Sequence, residues 1–279
     1  MDKKHLLFTR ALLISMALWL AGCTTQHFRE NASEIAKSRG FIREDFPARG
    51  ITLRTWQHIT PPVTHLRVYI EGDGFAWVNR TRPSDDPTPH NPIGLKLAAA
   101  DPSRNLLYLA RPCQFIGPPL PATCHAHLWT DKRFSSNVIE AMNDALNQVM
   151  QRFPQARIEL VGYSGGGNIA ALLAARRADV VSLRTVAGNL DVAYVNALHR
   201  VSAMPEAQSA ADVAAKLSTL PQIHFSGADD STVPPAVAAR FQKAVGERCA
   251  QVDVVPGMDH GSDWAALWPR LLATAPVCR

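Results

Sequence analysis

The stretch ELVGYSGGGNIAALLAARR, Glu159 to Arg177, decides the fold. Gly162, Gly165, Gly166 and Gly167 surround Ser164. Each glycine costs conformational entropy when it is fixed, so this join must require them. Upstream, ARIELV (156–161) alternates and is rich in branched residues, which predicts a buried strand. Downstream, NIAALLAARR is rich in alanine and leucine, which predicts a helix. A strand that turns at once into a helix crowds the two backbones together, so the residues flanking the turn must be small. The serine in the turn then has a strained backbone and an exposed hydroxyl.

The spacing Gly162-Tyr163-Ser164-Gly165-Gly166 is G-x-S-x-G, the pattern of a nucleophile elbow. The helix that follows points its positive end at the serine and favours developing negative charge there. A serine alone is a weak nucleophile; it needs a base, and the base needs an orienting acid.

The rest of the chain supplies strands and helices in alternation. ITLRTWQHI, HLRVYIEG, NLLYLA, VVSLRTVAG, LPQIHFSG and AQVDVVPG read as strands. NPIGLKLAAA, NVIEAMNDALNQVMQRF, PAVAARFQKAVG and DWAALWPRLLATA read as helices, with Asn137 and Glu140 resembling a capping box at the start of the second. Such alternation predicts a mostly parallel central sheet with helices on both faces. In such sheets, sites form at the carboxyl ends of strands. Two late loops lie there: Gly227-Ala228-Asp229-Asp230-Ser231-Thr232-Val233-Pro234 and Gly257-Met258-Asp259-His260-Gly261.

The order Ser, Asp, His resembles the α/β-hydrolase superfamily, over roughly Ile51 to the end. The resemblance implies an α/β-hydrolase fold with Ser164, Asp230 and His260 as nucleophile, acid and base. G-x-x-D-x-x-V-P places the acid at Asp230; Asp229, one residue off, and Asp191, after an earlier strand, are the alternatives. It also implies two oxyanion donors. One is the N–H of Gly165, and the other is that of Asp73 or Gly74 in the loop YIEGDGFAW. Family members often carry His-Gly there, whereas this chain has Glu71-Gly72-Asp73-Gly74. An acidic Asp73 beside an oxyanion is tolerable if its side chain turns away, and Glu71 could brace the loop. The segment at about 189–219 lies where this superfamily inserts its cap and is short. Arg80, Arg82 and Arg111 are cations that could meet an anionic group, or else solvated or salt-bridged surface.

The chain has 279 residues, 47% of them apolar, enough for one large core. The formal charge of +5 is mild and partly carried by Lys3, Lys4 and Arg10, so it does not argue for nucleic acid. MDKKHLLFTR followed by ALLISMALWL reads as a signal peptide over 1–22, its apolar run too short for a membrane span. Leu20-Ala21-Gly22-Cys23 resembles the lipobox of bacterial lipoproteins. That resemblance implies cleavage before Cys23, lipidation of Cys23, and anchoring in a bacterial envelope. Thr24 in place of an aspartate favours the outer membrane, facing the periplasm. Residues 23–50 are expected to form a tether and N-terminal extension, the polar run from Thr24 leading into a short helix that stops at Gly40.

Four further cysteines in an oxidising compartment suggest two disulfides among three possible pairings. The favoured pairing is Cys113–Cys124, closing a proline-rich loop, with Cys249–Cys278 tying down the chain end. CHAH, from Cys124 to His127, fits no zinc spacing, and no metal or cofactor is expected. The function expected is hydrolysis of a small-molecule or lipid carboxylic ester through an acyl-enzyme. Peptidase, amidase and acyltransferase activity share the same triad. A non-catalytic envelope lipoprotein that binds a partner on a hydrolase scaffold is the reading of a different class.

Overall fold

A computed structural model describes residues 27–279, so the signal peptide and Cys23 lie outside the described residues. A single sheet of eight strands organises the fold, in the order β1-β2-β4-β3-β5-β6-β7-β8. The strands are β1 Ile42–Ala48, β2 Ile51–His58, β3 His65–Ile70, β4 Leu106–Leu109, β5 Arg157–Tyr163, β6 Val180–Val186, β7 Gln222–Gly227 and β8 Ala250–Val255. β2 runs antiparallel to both β1 and β4, and every later pairing is parallel. The parallel strands are nearly continuous in apolar residues because helices cover both of their faces.

The helices are α1 (27–38), α2 Ile93–Ala100, α3 Ser136–Met150, α4 Gly165–Ala174, α5 Val192–Leu198, α6 Ala210–Val213, α7 Pro235–Val245 and α8 Trp264–Leu272. On one face α3, α4 and α7 bury Val138, Met142, Ile169, Leu172 and Val237 against Leu66, Val68 and Leu160. On the other, α1, α2 and α8 bury Ala36, Leu97 and Trp268 against Tyr69, Tyr108 and Phe225. The two layers are the physical reason that the chain has two apolar clusters and one sheet.

Three details depart from the expectations. The short helix expected to stop at Gly40 is α1, and the N-terminal extension packs on the domain where a strand was not expected: α1 buries Ala32 and Ala36, and β1 buries Phe46 and Ala48. β1 is a charged edge strand carrying Pro47, a composition that suits an edge and hides a strand from pattern reading. α3 starts after Ser135, so Asn137 lies inside the helix and no capping box with Glu140 forms; Ser136 Oγ donates to Glu140 Oε1 instead at 3.2 Å. Helix α4 begins at Gly165, three residues earlier than the apolar pattern suggests.

Both expected disulfides are formed, Cys113–Cys124 and Cys249–Cys278. A buried ion network ties β3 to its neighbours. Arg67 reaches Asp101 at 2.7 Å and Glu159 at 2.6 Å. Tyr69 Oη also donates to Asp101 and itself accepts from Trp268 Nε1 at 2.7 Å, which fixes α8 on the sheet. Between β6 and β7 lie α5, α6 and a short 3₁₀ turn, in the segment where a small cap is expected.

Candidate active site

The elbow is built from close approach. An added Cβ on Gly162 would lie 2.3 Å from the carbonyl oxygen of Gly166. On Gly166 it would lie 2.3 Å from that of Ile70. Neither position can carry a side chain, because the atoms in the way are backbone. Ser164 itself adopts φ 51°, ψ −121°, a region an L-residue enters only under constraint, at a cost on the order of 1–3 kcal/mol. Its N–H donates to Val186 O at 3.0 Å, and its carbonyl accepts from Gly167 and Asn189. Those three bonds hold the turn.

Ser164 stands at the start of α4 but does not cap it with its side chain. Its hydroxyl meets His260 Nε2 at 2.9 Å. On the opposite side of the ring, Nδ1 lies 2.8 Å from Asp230 Oδ2. The other carboxylate oxygen of Asp230 accepts from the N–H groups of Thr232 and Val233, each at 2.8 Å. The acid is thus fully buried and fixed by its own loop, while the imidazole keeps a solvent-facing edge. Tyr163 Oη donates to the His260 carbonyl at 2.9 Å, and Trp264 Nε1 donates to that of Asp259 at 3.1 Å. These two bonds position the histidine loop.

The alternatives fall elsewhere. Asp229 is exposed, and only its N–H is engaged, with Met258 O. Asp191 caps α5 by accepting from the N–H of Tyr194 and pairs with Arg240 at 3.1 Å. Asp259 bonds Ser262 at the surface. His127 of the CHAH stretch pairs with Asp131.

The loop after β3 lies against the elbow: an added Cβ on Gly72 would be 3.3 Å from Ser164 Cβ. Glu71 braces this loop. It is fully buried and accepts from Gly72 N, Gly94 N, Leu95 N and Tyr108 Oη, tying the loop to the start of α2. Burial raises its pKa above the ordinary carboxylate value, and the four donors oppose that rise. The N–H of Gly72 is taken by Glu71, and that of Phe75 by Pro87 O. The N–H groups of Asp73 and Gly74 remain between them, the two donors named from the sequence. The Gly165 N–H opens α4 and has no carbonyl one turn behind it.

Asp73 does not turn away. An added Cβ on Gly165 would lie 2.0 Å from Asp73 Oδ1, so the carboxylate rests against the residue after Ser164. Its charge is met from two sides. Buried Arg111 donates from Nη1 to Oδ1 at 3.1 Å. Arg133 Nε lies 2.8 Å from Oδ2, an ion pair whose angle falls outside hydrogen-bond alignment. Both guanidiniums lie over the Phe134 ring. Arg111 is therefore internal and already occupied by Asp73. Arg133 was not foreseen, because no local pattern marks an ion pair between residues 60 apart. Arg80 and Arg82 remain on the surface.

These groups face a cleft of about 460 Å³ lined by Asp73, Phe75, Trp77, His90, Ser164 and His260 among others. It opens at the carboxyl ends of the parallel strands.

No family model and no curated protein sequence matches the chain. Solved structures do. An α/β serine hydrolase homologue from Coxiella burnetii is 15% identical with a TM-score of 0.58, over 83% of this chain and 97% of that one. The esterase domain of a Rhodothermus marinus protein is 15% identical with a TM-score of 0.55, over 84% and 96%. The acylaminoacyl peptidase of Pyrococcus horikoshii is 12% identical with a TM-score of 0.58, over 85% of this chain and 42% of that one. The chain has the α/β-hydrolase fold. At such identities the likeness establishes the fold, and the chemistry must be argued from the site.

Gly165→Ala tests the contact between the elbow and Asp73. The new Cβ must displace the carboxylate and the loop that carries it. The expected result, if the chain turns over an ester, is a fall in kcat of about 10²-fold or more, the scale of a lost oxyanion donor, with KM little changed. An unchanged kcat would contradict the placement of Asp73 at the oxyanion site.

Proposed function

We propose that this protein is a serine hydrolase that cleaves carboxylic esters through an acyl-enzyme. The observation that carries the reading is the unbroken hydrogen-bond chain from Ser164 Oγ through His260 to buried Asp230, at 2.9 and 2.8 Å, opening on the cleft. His260 Nε2 takes the proton as Ser164 Oγ attacks the ester carbonyl. Asp230 holds the ring with Nδ1–H inward and stabilises the imidazolium. The carbonyl oxygen becomes an oxyanion facing the N–H of Gly165 and that of Asp73 or Gly74. His260 then protonates the leaving alkoxide, deprotonates water, and returns the proton to Ser164 as the acyl group leaves. An acyltransferase would follow the same steps with an alcohol in place of water.

The cleft favours esters over peptides with a free amine end. The acids that line it are already engaged, Glu71 by four donors and Asp73 by two guanidiniums. Neither is left to hold a substrate ammonium. The intact chain of bonds also weighs against a purely partner-binding scaffold.

We further propose that Cys23 carries a lipid anchor that holds this domain at a bacterial membrane, most simply the outer one. The support is the basic, apolar and small-residue order of residues 1–23. Stable anchoring by acyl chains takes more than one of them.

Two outcomes are expected. With a short-chain p-nitrophenyl ester, Asp230→Asn lowers kcat on the order of 10⁴-fold, while Asp229→Asn stays near the parent. Equal losses would contradict the assignment of Asp230. Cys23→Ser converts the membrane-bound mature chain into soluble or unprocessed material on fractionation; mature protein still in the membrane would exclude lipidation at this residue.

A further inference from the structure

We propose that the mouth of the cleft is a docking surface for an anionic lipid bilayer, so that the ester it takes is a lipid of that bilayer. The inference rests on the ester-hydrolase reading for its substrate, and on the surface itself for its docking.

The described residues leave seven large apolar side chains exposed, and Trp77, Val78, Leu198 and Val201 are four of them. These four belong to two segments joined at the cleft. Trp77 lines the cleft itself. Arg80 Nη2, three residues on, reaches the carbonyl of Arg200 at 3.4 Å. From the same second segment, His199 Nε2 meets the carbonyl of Thr232 at 2.7 Å, and Thr232 lines the cleft beside His260. The segment carrying Leu198 and Val201 is thus bonded to both sides of the opening.

Both segments have a fixed backbone, so their apolar side chains are presented and not merely loose. Val78 N–H donates to Arg82 O at 2.9 Å, and Trp77 forms a bridge with Pro83. The Asn79 side chain closes the tip by accepting from the N–H groups of Thr81 and Arg82. On the other segment, Val201 N–H donates to Asn196 O at 3.0 Å. An exposed cluster of tryptophan and aliphatic side chains held in this way marks an interaction site.

The charge around the cluster selects the partner. Arg80, Arg82 and Arg200 are exposed among these apolar residues, and Arg82 is only loosely offset by Asp85 at 3.8 Å. Apolar side chains that enter the acyl boundary, with arginines at headgroup level, form the pattern of an interfacial surface. Tryptophan suits that depth, with an apolar ring and one polar N–H. Arginines near an anionic leaflet each favour association by roughly fivefold, an attraction that salt screens. A bilayer seated on this rim would place the cleft, and Ser164 within it, directly over its ester-bearing lipids.

The test uses the full-length chain as Ser164→Ala, so that nothing is hydrolysed, reconstituted in vesicles. The probe is Trp77. Its emission is the difference between this chain and the same chain carrying Trp77→Phe, which removes the contributions of the other tryptophans. In vesicles of brominated phosphatidylglycerol, Trp77 emission is expected to be quenched and shifted to shorter wavelength. In brominated phosphatidylcholine, or with Arg80→Gln and Arg200→Gln, the quenching is expected to weaken by roughly fivefold per cation lost. Val78→Asp with Leu198→Asp and Val201→Asp is expected to abolish it, with an unchanged melting temperature showing that the fold is kept. Trp77 emission indifferent to brominated lipid would overturn the proposal and leave a protein partner as the occupant of the rim. So would quenching that survives the three aspartates. Quenching as expected, in a protein whose Ser164 form cleaves no ester, would overturn the ester reading and leave the docking surface standing.

Discussion

The contact on which the site depends is that of Gly162 with Gly166 and of Gly166 with Ile70. Three backbones, those of β5, α4 and β3, come within a distance that admits no Cβ. This crowding pushes Ser164 to positive φ and turns its hydroxyl out of the helix cap toward His260. It also brings the loop after β3 against the nucleophile. The serine's strain is therefore held by the sheet, through Val186 O and the pairing of β5 with β3 and β6. A looser join would relax the serine and separate it from the loop after β3 at the same time.

A second constraint follows from that closeness. The loop after β3 carries two carboxylates, Glu71 and Asp73, close to the elbow. The fold answers by engaging both. Glu71 is consumed by four donors and serves as an internal brace. Asp73 is bracketed by Arg111 and Arg133, which leaves that corner of the site positive. Buried carboxylates are tolerable only when so paired, since an unpartnered one carries a large desolvation penalty. The acids of the loop thus act as fasteners, with the Asp73 charge met by two guanidiniums beside Ser164.

How much of this was legible in the sequence follows from the range of each interaction. Ser164, Asp230 and His260 are each marked by their own loop, and their order is enough to bring them to one edge of a parallel sheet. The short proline-rich loop made Cys113–Cys124 readable for the same reason. β1 was not readable, because an edge strand with charges and Pro47 lacks the alternation of a half-buried one. The capping box failed because Ser135 and not Asn137 precedes the helix, a shift of two residues that composition does not resolve. Arg133 had no local signature at all. Its role exists only through the distance between its loop and Asp73, as does the meeting of Arg80 with Arg200.

The proposed chemistry requires an activated serine at the elbow. The most direct measurement is covalent labelling by a fluorophosphonate, read by mass spectrometry on the disulfide-intact protein. One adduct is expected, located on Ser164 and absent from Ser164→Ala. A folded protein that stays unlabelled, or that labels elsewhere with Ser164 free, would contradict that chemistry.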